Sequence, residues 1–405
     1  MNSETIALFQ GLFQQLQTLL CSPEFQARHR RQPQDFSRQR CLTFVVVVCF
    51  LLNLLKRALQ DELDEFLKVF FGSELAVRLV TKSAFCQARL KLKYEAFVEL
   101  NQVQVNYFYA HLAPATWHGF RLLAVDGSMS ELPNQPDLCT HFGVWHPAAG
   151  GTCPKARVSQ MFDPLNRVTV DALILPKEVG ERDAAARHFD HLQVGDLVLV
   201  DRGYPAFWLF ALILSKKGHF CARFSVAGWS IVETFLVSRR LDQIVTLKPS
   251  AEARKECQAR GLSAAPLQLR LLRIELDGGG VEVLGTSVLD QQAYPYALFK
   301  ELYHERWPVE EDYKVLKSRI EVENWSGESV LVIYQDFHAK IFTKNLAAIV
   351  AHPIAKVVAQ TSQAKQYLYR PNMTHAVSKM KDTVVLLLQR TNTLPLLKQL
   401  WQLLL

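Results

Sequence analysis

No two of the eight cysteines in this 405-residue sequence (positions 21, 41, 49, 86, 139, 153, 221 and 257) form a C-x-x-C pair. That excludes a zinc ribbon and a thioredoxin-type redox motif. His141, His146, His188, His191, His219, His304, His338 and His375 show no metal-ligand spacing, so satisfied surface or core histidines are expected. No apolar run is long enough to cross a bilayer. The longest, Cys41 to Leu55 (CLTFVVVVCFLLNLL), falls short of the ~20 residues required. Arg38 and Arg40 precede it, Lys56 and Arg57 follow, and Asn53 interrupts it. It reads as a buried core helix, with the valine run leaving a strand open. The opening residues are polar and acidic rather than basic then apolar, so no secretory signal is expected. These absences together point to a reducing cytosol, with the cysteines as small core hydrophobes. Internal repeats and low-complexity stretches are also missing. Charge of one sign is in small excess, 46 basic against 39 acidic residues, which permits an anionic partner without requiring one.

What is present is enough for a folded chain. Hydrophobic residues make up 49%, which excludes a disordered or collagen-like protein. At ~150 residues per domain the length suggests two or three domains. Glu4 to Leu20, residues 61–71 and Ser83 to Leu100 carry apolar residues at helical spacing. The period changes near residue 120. Arg121–Val125, Val158–Phe162, Arg167–Leu175, Leu197–Val200 and His219–Phe224 read as strands, with Asp126-Gly127 and Asp163-Pro164-Leu165-Asn166 as turns. Glu181–Leu192 and Ala206–Ser215 read as helices. Residues 226–292 look strand-rich, with a hairpin at Asp277-Gly278-Gly279-Gly280. After Pro295 the pattern is helical to about residue 360. The leucine-rich tail LLKQLWQLLL fits a final helix packed on the core.

Two aspartates occupy similar places. Asp126 follows the strand LLAV, and Asp201 follows LVLV. Each alone is an ordinary strand-closing residue. As a pair they suit metal ligation, because a stiff strand fixes where each carboxylate lies. The segment Tyr303–Lys317 (YHERWPVEEDYKVLK) places Tyr303, Arg306, Glu310 and Lys317 at helical increments. Pro308 is tolerated only if it opens a helix. A solvated helix with pairs such as Glu310–Lys314 would account for the charges alone.

The combination resembles the DDE transposases of insertion-sequence family four, marked by a Y-(2)-R-(3)-E-(6)-K signature. Tyr303, Arg306, Glu310 and Lys317 match it without a gap. Asp126 in VDGS and Asp201 in VDRGY match the contexts of the family's two aspartates, and SAFCQARLKL (83–92) and YRPNMTHAV (369–377) look like family segments. The resemblance covers roughly residues 80 to 377. It implies an RNase H-like core, a mixed α/β sheet with helices, interrupted by a β-rich insertion and preceded by an all-helical domain. The parts expected are a helical DNA-binding domain (1–115), the first part of the core (116–225), the insertion (226–292), the second part of the core (293–365) and a helical C-terminal region (366–405).

The resemblance also implies the chemistry. Asp126, Asp201 and Glu310 would hold two Mg²⁺ ions, with Mn²⁺ able to substitute. Such hard cations need oxygen ligands and can activate an attacking and a leaving oxygen at phosphorus. Glu305, Glu311 and Asp312 compete for the third place, but the signature spacing selects Glu310. Arg306, Lys317, Lys314 and Tyr303 would grip DNA phosphates at the element end. A hairpin intermediate with a flipped base against an aromatic is implied, with Trp307 and Trp229 as candidates. Residues 28–40 hold five arginines, including Arg28, Arg30 and Arg31, against Asp35 alone, which fits phosphate binding or an ordinary solvated loop. The partners expected are double-stranded DNA, both transposon ends and target, and a second copy of the chain when two ends are paired. The expected location is the bacterial cytoplasm, at the nucleoid. A stand-alone metal-dependent nuclease, or a silenced transposase-derived DNA-binding protein, stays open beside the transposase reading.

Overall fold

The computed structural model describes residues 3–38, 40–145, 153–276, 279–361 and 372–404. His146, the expected turn tip at Asp277-Gly278 and the first residues of the 369–377 segment lie outside these. The chain divides into two compact units. One, here the helical unit, comprises Met1–Pro114, Ser130–Ala156 and Tyr313–Leu405; the other, the sheet unit, comprises Ala115–Met129 and Arg157–Asp312.

In the helical unit, α1 (Ser3–Cys21) buries Phe9, Leu12, Phe13, Leu16 and Leu20, the stripe its spacing predicts. Helix α2 (Pro23–His29) is capped by Ser22, whose side chain accepts from the Phe25 N–H. The apolar run forms α3 (Phe44–Leu52), capped by Thr43 and buried at all but Val45. Its burial outweighs the weak helix preference of four consecutive valines. Helix α4 (Leu59–Phe71) stops at Gly72, which takes the left-handed conformation at φ +66°. Where one helix was expected over Ser83–Leu100 there are two, α5 (Lys82–Arg89) and α6 (Glu95–His111). The break has a tertiary cause. The intervening chain pairs with the segment after α2: the Arg31 N–H donates to the Lys91 carbonyl at 2.8 Å and the Lys93 N–H to that of His29 at 2.8 Å. Helix α7 (Pro136–Phe142) completes the first part of this unit.

The sheet unit is built on β1 (Arg121–Glu131), β3 (Cys153–Asp163), β4 (Val168–Leu175), β5 (Asp196–Val200), β6 (His219–Phe224), β7 (Asp242–Leu247), β8 (Leu267–Glu275) and β9 (Val281–Thr286). A short β2 (Val144–Trp145) pairs with the first residues of β3. The strand order is β4-β3-β1-β5-β6-β9-β8-β7. Strands β1, β5 and β6 are parallel neighbours, while β4 and the β9-β8-β7 run are antiparallel. This is the mixed sheet expected of an RNase H-like core. Strand β5 lies between two parallel neighbours and is buried along its whole length, which is why it reads as an unbroken apolar run. Helices α8 (Glu181–His188) and α9 (Phe207–Ser215) pack together, α8 on β4 and α9 on β6. The 226–292 stretch also carries α10 (Ser230–Val237) and α11 (Ala251–Ala259), and its strands extend the core sheet through β9. Then come α12 (Leu298–His304) and α13 (Pro308–Ser318), which runs from the sheet unit into the helical unit.

The helical unit resumes with α14 (Val330–Thr361), α15 (Met373–Met380), α16 (Thr383–Gln389) and α17 (Leu394–Leu404). The tail packs as expected: Trp401 is buried, donates from Nε1 to the Val350 carbonyl at 2.9 Å and sets its ring edge-on to Phe9. A buried polar cluster ties α5 to α14. Arg89, 1% exposed, donates to Gln335 Oε1 (2.9 Å), Ser326 Oγ (2.7 Å) and Asp336 Oδ1 (2.8 Å). Lys340 donates to the carbonyls of Glu321 (2.9 Å) and Asn324 (2.6 Å), and burial pulls its pKa down to about 8.

One expectation, that of the cysteines, needs amending. Cys49, Cys221 and Cys257 are buried, and burial pushes the thiols of Cys49 and Cys221 up to about 12. Cys21 and Cys86, however, are exposed on helix surfaces, so the cysteines are not all core residues. His188 is a satisfied core histidine, with Asp171 Oδ2 at 2.6 Å and Ser159 Oγ at 2.9 Å. Among the described residues no helix is long and apolar enough to cross a membrane.

Candidate active site

The register of β1 and β5 sets the first two carboxylates. Val125 pairs with Val200, so Asp126 and Asp201 are the next residues out on neighbouring parallel strands. Adjacent strands lie ~4.8 Å apart, and residues at one register level project to the same face. Asp201 ends its strand, as expected. Asp126 does not: β1 continues to Glu131, and Asp126-Gly127 is strand rather than turn. The cause is that β1 has β3 on its other side and keeps that neighbour after β5 has stopped.

Asp126 is mostly buried. Desolvation pushes its pKa up to about 6, against the pull of the Gly127 N–H (2.9 Å to Oδ1) and of Arg306, and the charges of Glu310 and Asp201 add to the rise.

The third carboxylate comes from the signature segment. Pro308 opens α13, where its missing N–H costs no helical hydrogen bond, and Glu310 stands in the first turn. Tyr303 is at the end of α12, and Arg306 lies in the three-residue link between the helices. The Arg306 guanidinium, 4% exposed, donates to Glu310 Oε1 at 2.8 Å and approaches Asp126 Oδ2 at 3.9 Å. Burial disfavours its charge, but Glu310 and the neighbouring groups hold its pKa above the ordinary arginine value. The Tyr303 hydroxyl donates to Asp201 Oδ1 at 3.3 Å, and burial raises its pKa. Asp126, Asp201, Glu310, Tyr303 and Arg306 therefore form one connected group. Of the competitors, Glu311 is exposed and Asp312 is buried. Trp307 is 52% exposed beside this group, with the Arg306 guanidinium 5.5 Å from its ring centre.

Other predicted residues are placed differently. Lys314 and Lys317 follow on α13 and are exposed, with Lys317 3.8 Å from Glu323. Arg28 is paired with Glu99 at 2.5 Å, Arg30 is half-buried in the bridge to Leu92, and Arg31 is exposed. Trp229 sits before α10, edge-on to Phe224 at 5.0 Å, and lines a cleft of about 1180 Å³ in the sheet unit.

Sequence reasoning missed three neighbours. Arg223 on β6 comes within 3.9 Å of Asp201 and pairs with Glu282 at 3.1 Å. Its signal was a charge near the end of the otherwise apolar strand HFCARF. Tyr204, three residues after Asp201, is buried with its hydroxyl unpartnered. Glu181 at the start of α8 pairs with Arg157 at 2.8 Å.

Among the described residues no three His, Cys, Asp or Glu side chains are gathered into a ready ligand cage. Arg306 instead balances Asp126 and Glu310. The donor chemistry nonetheless fits a hard divalent cation. The acidic groups offer only carboxylate oxygens, and one of them carries a charge that burial disfavours and a cation would stabilise.

The sequence matches the family described as "Transposase DDE domain" over residues 117–346. It is 24% identical over 243 residues to the transposase InsG for insertion sequence element IS4 of Escherichia coli (strain K12), covering 60% of this chain and 54% of that protein. The chain thus spans about half the length of the curated relative it matches. A distant likeness links it to the piggyBac transposase synaptic complex with hairpin DNA, at a TM-score of 0.48 and 9% identity, over 92% of this chain and 80% of that one.

Proposed function

The chain belongs to the transposase DDE domain family, and from that premise we propose that it cuts the ends of a mobile DNA element and joins them to target DNA. The observation that carries the reading is that Asp126 and Asp201 stand side by side on neighbouring parallel strands while Glu310, in the first turn of a helix, shares the buried Arg306 with Asp126.

In this reading Asp126, Asp201 and Glu310 hold divalent cations, Mg²⁺ by preference, with Mn²⁺ as a substitute. Bound there, the cations supply Lewis-acid activation of the attacking oxygen and stabilisation of the leaving one at phosphorus. The protein's own groups do the rest. Tyr303 fixes Asp201 through its hydroxyl, and Arg306 holds Glu310. Arg306 has an Nε without a partner, a donor suited to a phosphate oxygen. Lys314 and Lys317 extend positive charge along the exposed side of α13. Exposed Trp307 is the better platform for a flipped base at a hairpin end, and Trp229 the second candidate. The helical segment 1–115, with Arg30 and Arg31, contributes phosphate contacts, and Arg28 does so only by leaving Glu99. Two copies of the chain act together when two ends are paired, at the bacterial nucleoid.

The test is cleavage of a duplex carrying the element's own end, with Mg²⁺, by wild type and Asp201→Ala. The expected result is cleavage and joining by wild type and, in the variant, a loss larger than the ~10–100-fold that removing even an outer-shell partner of a metal ligand costs. Undiminished cleavage by Asp201→Ala would overturn the assignment. Cleavage without joined products would favour a nuclease, and tight end binding without cleavage a silenced DNA-binding protein.

A further inference from the structure

A fourth carboxylate stands beside the first two. Glu181 begins α8, between the two aspartates in sequence. A Cβ on Gly127, next to Asp126, would sit 3.7 Å from Glu181 Cγ. A Cβ on Gly203, two residues past Asp201, would sit 3.6 Å from Glu181 Oε2. The glycine that follows Asp126 and the glycine of the Asp201 turn thus both leave room that Glu181 occupies. The side chain is half exposed, at 49%, and lines the cleft of about 1180 Å³, so the carboxylate is open to solutes.

A second observation is independent of the acidic residues. Tyr204 is 2% exposed, and its hydroxyl has no hydrogen-bond partner. That hydroxyl lies 3.6 Å from the position of a Gly127 Cβ, the same spot Glu181 approaches, and it lies within the electrostatic reach of Asp126, Glu181 and Asp201. Arg157, the partner of Glu181, also has a buried Nε with no partner. Buried donors left unpaired in a protein interior cost stability, so their persistence at one point marks a place for a ligand or an ordered water.

We infer that Glu181 is a fourth carboxylate of the cation site, held in position by Arg157 and facing a ligand shell that the Tyr204 hydroxyl completes. The inference rests on the reading of Asp126, Asp201 and Glu310 as cation ligands. It assigns Glu181 to the outer side of that site, toward the cleft, where it would hold a cation directly or through a water.

The test is titration of the full-length, DNA-free protein with Mn²⁺ alone, followed by calorimetry and by the spin-resonance signal of free Mn²⁺. Wild type is compared with Asp201→Ala, Glu181→Gln and Arg157→Gln, and thermal melts in EDTA establish that each is folded. Asp201→Ala is expected to lose Mn²⁺ binding. Glu181→Gln should weaken it by about tenfold or more, the usual size of such an effect. Arg157→Gln removes the partner that positions Glu181 but keeps the carboxylate, so it should weaken Mn²⁺ binding measurably less than Glu181→Gln does. Wild-type affinity in Glu181→Gln, or equal losses in Glu181→Gln and Arg157→Gln, would overturn the role of Glu181 and leave the triad standing. Wild-type affinity in Asp201→Ala, or no Mn²⁺ binding by wild type, would overturn the triad and Glu181 with it.

Discussion

Two clusters of buried charge, one in each unit, are built on opposite terms. In the helical unit, Arg89 uses three of its nitrogens on Gln335, Ser326 and Asp336, and Asp336 in turn accepts from the Ser326 N–H at 2.6 Å. Lys340 is likewise bound to two carbonyls. In the sheet unit, Asp126 and Glu310 share the charge of Arg306 while Asp201 has Arg223 at 3.9 Å, and the Arg306 Nε, Arg157 Nε and Tyr204 hydroxyl have no partners. The first cluster is complete within the protein. The second leaves buried donors unsatisfied within the protein. Buried polar groups fully satisfied make a structure rigid and specific, whereas a half-satisfied network lowers stability and persists where it serves chemistry.

The largest expected effect comes from breaking the complete cluster. Arg89→Ala leaves Asp336 buried and without its cation, which costs about 3–5 kcal/mol. Urea denaturation should show that loss, while end cleavage per folded molecule stays near wild type. A cost below about 1 kcal/mol would mean that water replaces the guanidinium and that the cluster is less closed than its hydrogen bonds indicate.

The sheet unit's cluster was legible in the sequence to the extent that it depends on local spacing. The apolar runs before Asp126 and Asp201 gave the strands, and the intervals between Tyr303, Arg306 and Glu310 gave a helix-compatible group. The fit of Pro308 at a helix start followed from proline chemistry alone. What depends on partners far along the chain was not legible. Asp126-Gly127 reads as a turn until the continuing neighbour β3 is known. The helix over Ser83–Leu100 is broken by pairing with residues about sixty positions earlier. The pairing of β5 with β6 brings Arg223 to Asp201, and the packing of α8 on β4 brings Glu181 near, while Tyr204 lies in the turn after Asp201, its N–H donating to the Asp201 carbonyl at 3.0 Å. Arg28 shows the reverse case: an arginine-rich segment suggested free positive charge, and Glu99 on α6 neutralises part of it.

A smaller effect, opposite in sign, is expected from relieving the incomplete cluster. Asp126 has a folded pKa of about 6, above its ordinary 3.8. Between those values the folded state binds more protons than the unfolded state, so stability falls as pH rises through the window. Above pH 6 the full cost is present. Asp126→Asn removes it and should stabilise the metal-free protein by about 3 kcal/mol at pH 7, each pKa unit being worth 1.36 kcal/mol. The gain should vanish below about pH 4, where the carboxyl is neutral in both states. Paired urea denaturations at pH 7 and pH 4 in EDTA measure it. A variant less stable than wild type at pH 7 would mean that the pairing of Asp126 with Arg306 outweighs its burial. The same substitution should abolish cleavage, since a site that holds like charges together gives up stability for function.

The gentlest probe returns to the complete cluster and asks whether Lys340 belongs in it as a cation. Its folded pKa is about 8, below the ordinary 10.5. From pH 8 to 10.5 the unfolded state therefore binds more protons than the folded state, and this group adds stability as pH rises. Other groups, such as the buried tyrosines, titrate alike in wild type and variant and cancel in the difference. Wild type should gain on Lys340→Met by up to about 1.4 kcal/mol per pH unit across that window, the limiting slope for one proton. Below pH 8 the difference should be flat. Thermal melts at half-unit intervals from pH 7 to 10 give the slope. A flat difference throughout would mean that Asp336 and Glu321 hold the lysine charged as firmly inside the protein as water does, and that the two clusters differ in their unpaired donors rather than in how burial acts on charge.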